Sequence, residues 1–131
     1  MTLIDTERQT WVGVCALDSM VIGRGVAALV DGEAVALFRT GAGTVLAIAN
    51  LDPCSGASVL SRGLIGQTQV DGEVVTYVAS PLRKERFDLV TGACLDGDRR
   101  IATWPTRIDG DGTVLVGAEA SPPSNGPETT P

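Results

Sequence analysis

The sequence predicts an all-β domain, a sandwich or barrel of short antiparallel strands. Apolar runs of four to six residues alternate with turn signals rich in glycine, of which the chain has 16 among 131 residues. No stretch shows the apolar spacing of a long amphipathic helix. A hydrophobic fraction of 44% is enough to bury one core, and with aromatic residues at only 4% that core must be mainly aliphatic.

Four strands and one helical turn are predicted in the first half of the domain. Asp31-Gly32 lies between two apolar runs and indicates a hairpin, because both central residues of a type I′ turn need positive φ. A second turn is predicted at 41–43, and the polar stretch 17–20 favours one turn of helix. The strands are predicted at 11–15, 26–30, 34–39 and 45–49.

Two long irregular loops interrupt the strand pattern in the second half, one at residues 50–63 and one beginning at Ser80-Pro81. Pro105 has no backbone N–H, so it is expected on an edge strand or at a bulge. The strands in this half are predicted at 74–79, after Asp71-Gly72, and at 101–104, 106–108 and 113–116.

Composition divides the chain into an N-terminal segment, 1–10, a β-domain, 11–118, and a tail, 119–131. The first segment has charged residues and no apolar block, so it is not predicted to be a signal peptide. The tail is rich in proline and is predicted to be disordered. No apolar run approaches the ~18 residues of a membrane-spanning helix, and a cytoplasmic location is expected.

Charge and residue counts exclude several functions. The formal net charge of −6 makes nucleic acid and membrane surfaces poor partners. The chain has no histidine, which excludes Ser-His-Asp and Cys-His catalysis and every metal site that needs imidazole. Its three cysteines, Cys15, Cys54 and Cys94, are too few for a four-thiolate cluster and form no disulfide framework.

The two irregular loops contain a recognisable pattern. It resembles the cluster-binding loops of Rieske ferredoxins, which read Cys-Pro-His with a Gly-Ala turn, and Cys-Pro-x-His followed by Phe-Asp and Thr-Gly. The resemblance implies a Rieske-like sandwich or barrel with both loops at one tip, and Phe87 buried between loops and sheet. The matching scaffold positions are Pro53, Gly56, Ala57, Pro81, Phe87, Asp88, Thr91 and Gly92.

The four ligand positions of that pattern are not retained. Asp52 and Ser80 stand where the resemblance places the two cysteines, and Cys54 and Arg83 stand where it places the histidines. A guanidinium has no lone pair for a metal, so no cluster, no other metal and no cofactor are expected in this chain. Asp52 and Arg83 are expected to form an ion pair in the former cluster pocket rather than a catalytic pair. Cys54 is expected to be a small filler, the alternative being a reactive thiol whose pKa Arg83 lowers.

Further segments resemble the small subunit of assimilatory NAD(P)H-dependent nitrite reductases. The resemblance implies a cofactor-free subunit, inactive alone, that binds and supports a large catalytic subunit. That subunit would carry flavin, an iron–sulfur cluster and sirohaem and would reduce nitrite to ammonium. The segments are 11–15, 35–39, 50–53, 60–63, 80–82 and 86–89, together with Lys84.

Two other functions remain open from the sequence: a stand-alone Rieske-like interaction module, and a Rieske-type ferredoxin that carries electrons. For a partner-binding role, the basic residues at the predicted tip are the candidate contacts, although an ordinary solvated loop would have the same composition. These candidate contacts are Arg62, Arg83, Lys84 and Arg86. Trp11 and Trp104 are interpreted as sheet residues that bury area at the core or its edge.

Overall fold

The computed structural model describes residues 10–120, and nearly all the regular structure there is β-strand. The all-β prediction is therefore confirmed. Predictions for the first nine residues and for the tail beyond residue 120 lie outside the described residues. The strands are β1 (Trp11–Ala16), β2 (Gly25–Val30), β3 (Glu33–Gly41), β4 (Thr44–Ala49), β5 (Leu64–Val70), β6 (Glu73–Ala79), β7 (Arg86–Asp88), β8 (Thr103–Trp104), β9 (Thr106–Ile108) and β10 (Thr113–Gly117).

Two single-turn 3₁₀ helices accompany the strands. Leu17–Ser19 follows β1, where the sequence predicts a helical turn, and Leu60–Arg62 ends the first long loop. Each has three residues and only changes the direction of the chain. Within residues 10–120, no helix has the length and apolarity needed to cross a membrane.

In the part of the chain that the structure describes, the strands form three antiparallel sheets. Their orders are β1-β10-β9, β2-β3-β4-β8 and β5-β6-β7. Pro105 lies between β8 and β9, which are edge strands of two different sheets, and its missing N–H therefore costs no ladder hydrogen bond. The sequence predicts Pro105 on an edge strand or at a bulge, and it lies in the one-residue break between two edge strands.

The Asp31-Gly32 signal forms the tight hairpin that the sequence predicts. Asp31 and Gly32 have φ of 52° and 84°, and they join β2 to β3 with Val30 opposite Glu33. The turn at 71–72 has the same backbone form and joins β5 to β6. Strand β5 is not among the strands predicted from the sequence, and neither is β7, which pairs with β6 inside the second loop.

The central strand β3 is buried on both faces because the two hydrophobic clusters lie on opposite sides of it. Val35 and Leu37 belong to one cluster, with side chains from β10 and Trp104. Ala36 and Phe38 belong to the other, with Leu60 and residues of β6 and β7. Consecutive side chains of a strand point to opposite faces. A strand that lies between two hydrophobic clusters therefore needs an uninterrupted apolar run.

Both tryptophans are sheet residues, as predicted. Trp104 on β8 is 7% exposed and packs in the first cluster. Trp11 on β1 is partly buried, and the Arg107 guanidinium lies 5.1 Å from the centroid of its ring.

Candidate functional site

The first loop, residues 50–63, is organised around Asp52. This side chain is 0% exposed. Its Oδ1 accepts the Cys54 N–H at 2.9 Å, and its own N–H donates to the Ala57 carbonyl at 2.8 Å. The Gly56 N–H returns to the Asp52 carbonyl at 2.8 Å. The aspartate therefore holds the tight turn where the family pattern has its first cysteine.

The second loop, residues 80–92, begins with an equivalent arrangement around Ser80. The buried Ser80 Oγ accepts the N–H groups of Leu82 at 3.2 Å and Arg83 at 3.4 Å. The Ser80 N–H donates to the Glu85 carbonyl at 2.9 Å, and the Lys84 N–H donates to the Ser80 carbonyl at 2.9 Å. Each former cysteine position is therefore filled by an oxygen that accepts backbone N–H groups.

Asp52 and Ser80 join the two loops directly. The Ser80 hydroxyl donates to Asp52 Oδ2 at 2.5 Å in a buried contact. Burial by itself raises the pKa of Asp52, but hydrogen bonds from Ser80, from the Cys54 N–H and from Ser55 outweigh it, and the pKa is lowered. A charged carboxylate that accepts short hydrogen bonds therefore connects the loops.

Cys54 and Glu85 lie beside this link. The potential ligand atoms of Asp52, Cys54 and Glu85 are all within 4.8 Å of one another. Glu85 Oε1 is enclosed and has no hydrogen-bond partner among the described residues. Desolvation raises the pKa of the Cys54 thiol, and the Glu85 and Asp52 carboxylates raise it further against the opposing charge of Arg99. A thiol activated by Arg83 is therefore the wrong interpretation of Cys54.

The predicted ion pair between Asp52 and Arg83 is also wrong. Arg83 is exposed, and no salt bridge joins it to Asp52 in the part of the chain that the structure describes. The Arg83 guanidinium is hydrated at the surface, and moving it into the pocket would remove that hydration. The structure thus brings together three of the four former ligand positions and turns the fourth to solvent.

The candidate partner contacts separate into two groups. Arg62, Arg83 and Lys84 are exposed. Arg86 instead forms a two-pronged ion pair with Asp96, with distances of 2.8 and 3.1 Å, and its guanidinium lies 5.4 Å from the Tyr77 ring centroid. Arg86 is therefore held by a partly exposed ion pair within the second loop, and the exposed basic residues that remain are Arg62, Arg83 and Lys84.

The end of the second loop explains the Phe-Asp and Thr-Gly part of the pattern. Phe87 is fully buried, as predicted. Asp88 Oδ1 accepts the N–H groups of Val90 at 2.8 Å and Thr91 at 3.3 Å, which closes a tight turn. Gly92 follows with φ of 79°, in close contact with the strand-like segment at Ile101. These residues shape the loop without any metal.

Glu85 and Asp96 are site residues that the sequence analysis did not single out. Glu85 does not occupy a position of the family pattern, and only its place as the one acid in a basic run distinguishes it. Asp96 is ten residues from its partner and carries no local signal. Both acquire their roles through the conformation of the second loop.

The observed residues do not fit a Rieske cluster. Such a cluster needs two thiolates on one iron and two imidazoles on the other. The corresponding positions hold one thiol, one carboxylate, one hydroxyl and an outward guanidinium. All three cysteines are free, and Cys94 is buried, which raises the pKa of its thiol.

Known proteins share this fold and much of this sequence. A model of the Rieske-like [2Fe-2S] domain matches residues 10–117. The nitrite reductase (NADH) small subunit of Salmonella typhimurium is 48% identical over 108 residues, which cover 81% of this chain and 95% of the relative. The solution structure of a nitrite reductase [NAD(P)H] small subunit from Erwinia carotovora matches with a TM-score of 0.69 at 37% identity, covering 92% of this chain and 90% of that chain.

One relative is much longer than this chain. The nitrite reductase [NAD(P)H] large subunit of Klebsiella oxytoca is 40% identical over 108 residues. The match covers 82% of this chain but only 11% of the relative. A domain similar to this chain therefore occurs as a small part of a protein that carries the large-subunit name.

Proposed function

Because this chain belongs to the Rieske-like family of nitrite reductase small subunits, we propose that it binds and supports a large catalytic nitrite reductase subunit. In this proposal the large subunit carries flavin, an iron–sulfur cluster and sirohaem, and reduces nitrite to ammonium in the cytoplasm during nitrogen assimilation. This chain carries no iron–sulfur cluster and is inactive alone.

The hydrogen bond between Asp52 and Ser80 is the observation that carries the proposal. It joins the loops at the two positions where the family pattern has cysteines, so both loops keep a defined shape without a cluster. A defined surface with no redox centre can bind a partner but cannot itself carry electrons. This arrangement therefore favours a supporting subunit over a ferredoxin.

The match to the Klebsiella large subunit supports the choice of partner. A similar domain within a single long chain is permanently linked to the rest of that chain. A separate small subunit would achieve the same proximity by non-covalent binding. This comparison favours a nitrite reductase complex over a stand-alone interaction module.

The surface of the loops has the composition of a docking surface. Arg62 is exposed at the end of the first loop, and exposed Leu64 follows it at the start of β5. In the second loop, Leu82, Arg83 and Lys84 are exposed. The chain as a whole has a net charge of −6, so this local positive patch can orient it toward an acidic, partly apolar surface. We place the contact with the large subunit here.

The test is reconstitution with the large subunit of the same organism. Adding this chain is expected to raise nitrite-dependent NAD(P)H oxidation, or to lengthen the time for which the large subunit stays active. Bovine serum albumin at the same concentration controls for non-specific protection. Equal activity and equal lifetime with and without the chain would contradict the proposal.

A further inference from the structure

We propose that Asp52, Cys54 and Glu85 form a binding site for a single divalent cation of the zinc class. The inference concerns the former cluster pocket and does not depend on the proposed subunit function. It departs from the expectation of no metal, which considered only the four former cluster positions. Glu85 is not one of them, and its side chain supplies the third ligand.

The geometry of the three ligand atoms is close to that of a metal site. They lie within 4.8 Å of one another, whereas a tetrahedral zinc ion with Zn–S of about 2.3 Å and Zn–O of about 2.0 Å needs them about 3.5 Å apart. A contraction of about 1 Å is within reach of side-chain rotation at Cys54 and Glu85, which are only partly buried. Asp52 is fixed in place by the Ser80 hydroxyl.

The charges of the pocket point to a cation as well. Asp52 is fully buried and accepts hydrogen bonds from the Ser80 hydroxyl and the Cys54 N–H, but among the described residues no arginine or lysine forms a salt bridge with it. Glu85 Oε1 is enclosed beside it without a hydrogen-bond donor. Enclosed carboxylate oxygens are costly unless a positive charge or a donor compensates them, and a divalent cation at this point would contact both acids.

The donor set defines the class of cation. One sulfur and two carboxylate oxygens favour zinc-like metals over magnesium or calcium, which prefer oxygen alone. Three protein ligands leave one coordination position for water. The Ser80 hydroxyl already provides the outer hydrogen bond that orients a ligating carboxylate. On binding, the Cys54 thiol releases its proton to solvent and a sulfur–metal bond forms.

Cobalt(II) titration of the full-length, untagged chain tests the site, since a cobalt–thiolate bond has a charge-transfer absorption. The expected result is a band that saturates at one cobalt per chain and disappears when zinc is added. Cys54→Ser should abolish the band, and Glu85→Gln should weaken cobalt binding at least tenfold. The chain has no histidine, so only its three cysteines need to be distinguished.

Cys15→Ser and Cys94→Ser are the matched controls and should keep the band, and Glu73→Gln, an exposed residue at the far end of β6 from Ser80, should keep the affinity. Circular dichroism establishes that each variant is folded. No thiolate band in the folded wild type, or an unchanged band in folded Cys54→Ser, would overturn the inference. Neither result would affect the reconstitution test with the large subunit, so the two proposals fail separately.

Discussion

At the scale of single residues, the hydrogen bond between Ser80 and Asp52 connects the two loops at the positions where a Rieske protein has its cysteines. In a Rieske protein the two cysteines are connected through the iron that both bind. Here Asp52 and Ser80 occupy those positions and bond to each other at 2.5 Å. Each also accepts backbone N–H groups of its own loop, so the same two side chains shape the loops and connect them.

Ser80→Ala is expected to destabilise the domain by about 1–3 kcal/mol at pH 7. The substitution leaves the fully buried Asp52 carboxylate without its hydroxyl donor, and that penalty is typical of a buried group that loses its partner. Urea denaturation of both proteins measures the difference. Ser58→Ala, an exposed residue in the first loop, is the control and should change stability little. Equal stability of Ser80→Ala and wild type would show that the link is unimportant.

The effect of Ser80→Ala should depend on pH. The folded-state pKa of Asp52 is lower than its usual value of 3.8, so its contribution to stability is complete above that value and is lost as pH falls through the folded pKa. Removing the hydroxyl removes one of the hydrogen bonds that lower the pKa. The gap in the free energy of unfolding between variant and wild type should therefore be largest near pH 7 and shrink below pH 3.8.

Sequence reasoning located this site but not its contacts. The pattern placed Asp52, Cys54 and Ser80 together because the scaffold residues around them are those of the family. It could not place Arg83 outward or Glu85 inward, because those directions follow from hydration and from the path of the backbone. Lys84, between them, has φ of 65°, a conformation that no local pattern predicts for lysine.

At the scale of elements, the turn after β7 shows why this chain has glycine in its Thr91-Gly92 pair. The carbonyl of Gly92 accepts the Ile101 N–H at 2.9 Å, so the turn packs directly on another segment. A Cβ at Gly92 would lie 2.1 Å from the Ile101 carbonyl oxygen, which is backbone and cannot rotate away. Glycine is required here by space as well as by its φ of 79°.

Gly92→Ala is expected to lower the free energy of unfolding by about 2 kcal/mol or more, since strain at positive φ alone costs about 1–3 kcal/mol. Gly110→Ala is the matched control, because a Cβ there meets nothing within 4 Å and its φ is not positive. Thermal or urea unfolding of the two variants gives the comparison. If both variants were equally stable, the close contact at Ile101 would not be a real constraint.

The strands that the sequence predicted well are those with strong local signals. Asp31-Gly32 set the β2–β3 hairpin, and the apolar run of β3 marked a strand buried on both faces. β5 lacked such a signal because Gln67 and Gln69 are exposed on it and its apolar ends are exposed too. β7 has three residues and exists because β6 offers it a pairing edge, which is a tertiary effect.

At the scale of the whole molecule, the charge is unevenly distributed. The chain carries a net charge of −6, yet Arg62, Arg83 and Lys84 are exposed on the loops that meet at Asp52 and Ser80. Fields of this kind act mainly on the rate and orientation of association, and salt screens them. The ionic-strength dependence of binding is therefore informative about the docking surface.

Lys84→Glu is expected to weaken binding of the large subunit about tenfold at low ionic strength, with a smaller loss at high salt as the Debye length falls from about 10 Å at 0.1 M to about 3 Å at 1 M. Arg107→Glu on β9 makes the same change in net charge on a different sheet and should weaken binding less. Affinity measured at two salt concentrations for folded variants provides the test. Equal losses of affinity in both variants would show that the large subunit contacts a different surface of this chain.

The purified chain is expected to contain no [2Fe-2S] cluster, even when it is produced anaerobically with iron and sulfide supplied. The residues at the four former ligand positions do not match the two thiolates and two imidazoles that the cluster needs. Iron and acid-labile sulfide analysis, together with the visible spectrum, measures this. About two irons and two sulfides per chain with a Rieske-type spectrum would contradict both this prediction and the proposed role.

The position of β3 between the two hydrophobic clusters has a consequence for amide hydrogen exchange. β3 is hydrogen-bonded to β2 on one edge and to β4 on the other, and Val35–Phe38 are 0% exposed. Opening either cluster alone leaves these amides covered by the other cluster and still bonded in the sheet. They can exchange with solvent deuterium only when the entire domain opens, so their protection factors report the global free energy of unfolding. The loop amides around Asp52 and Ser80 can exchange through smaller openings, and the difference between the two sets measures how tightly the tip is held to the sheets beneath it.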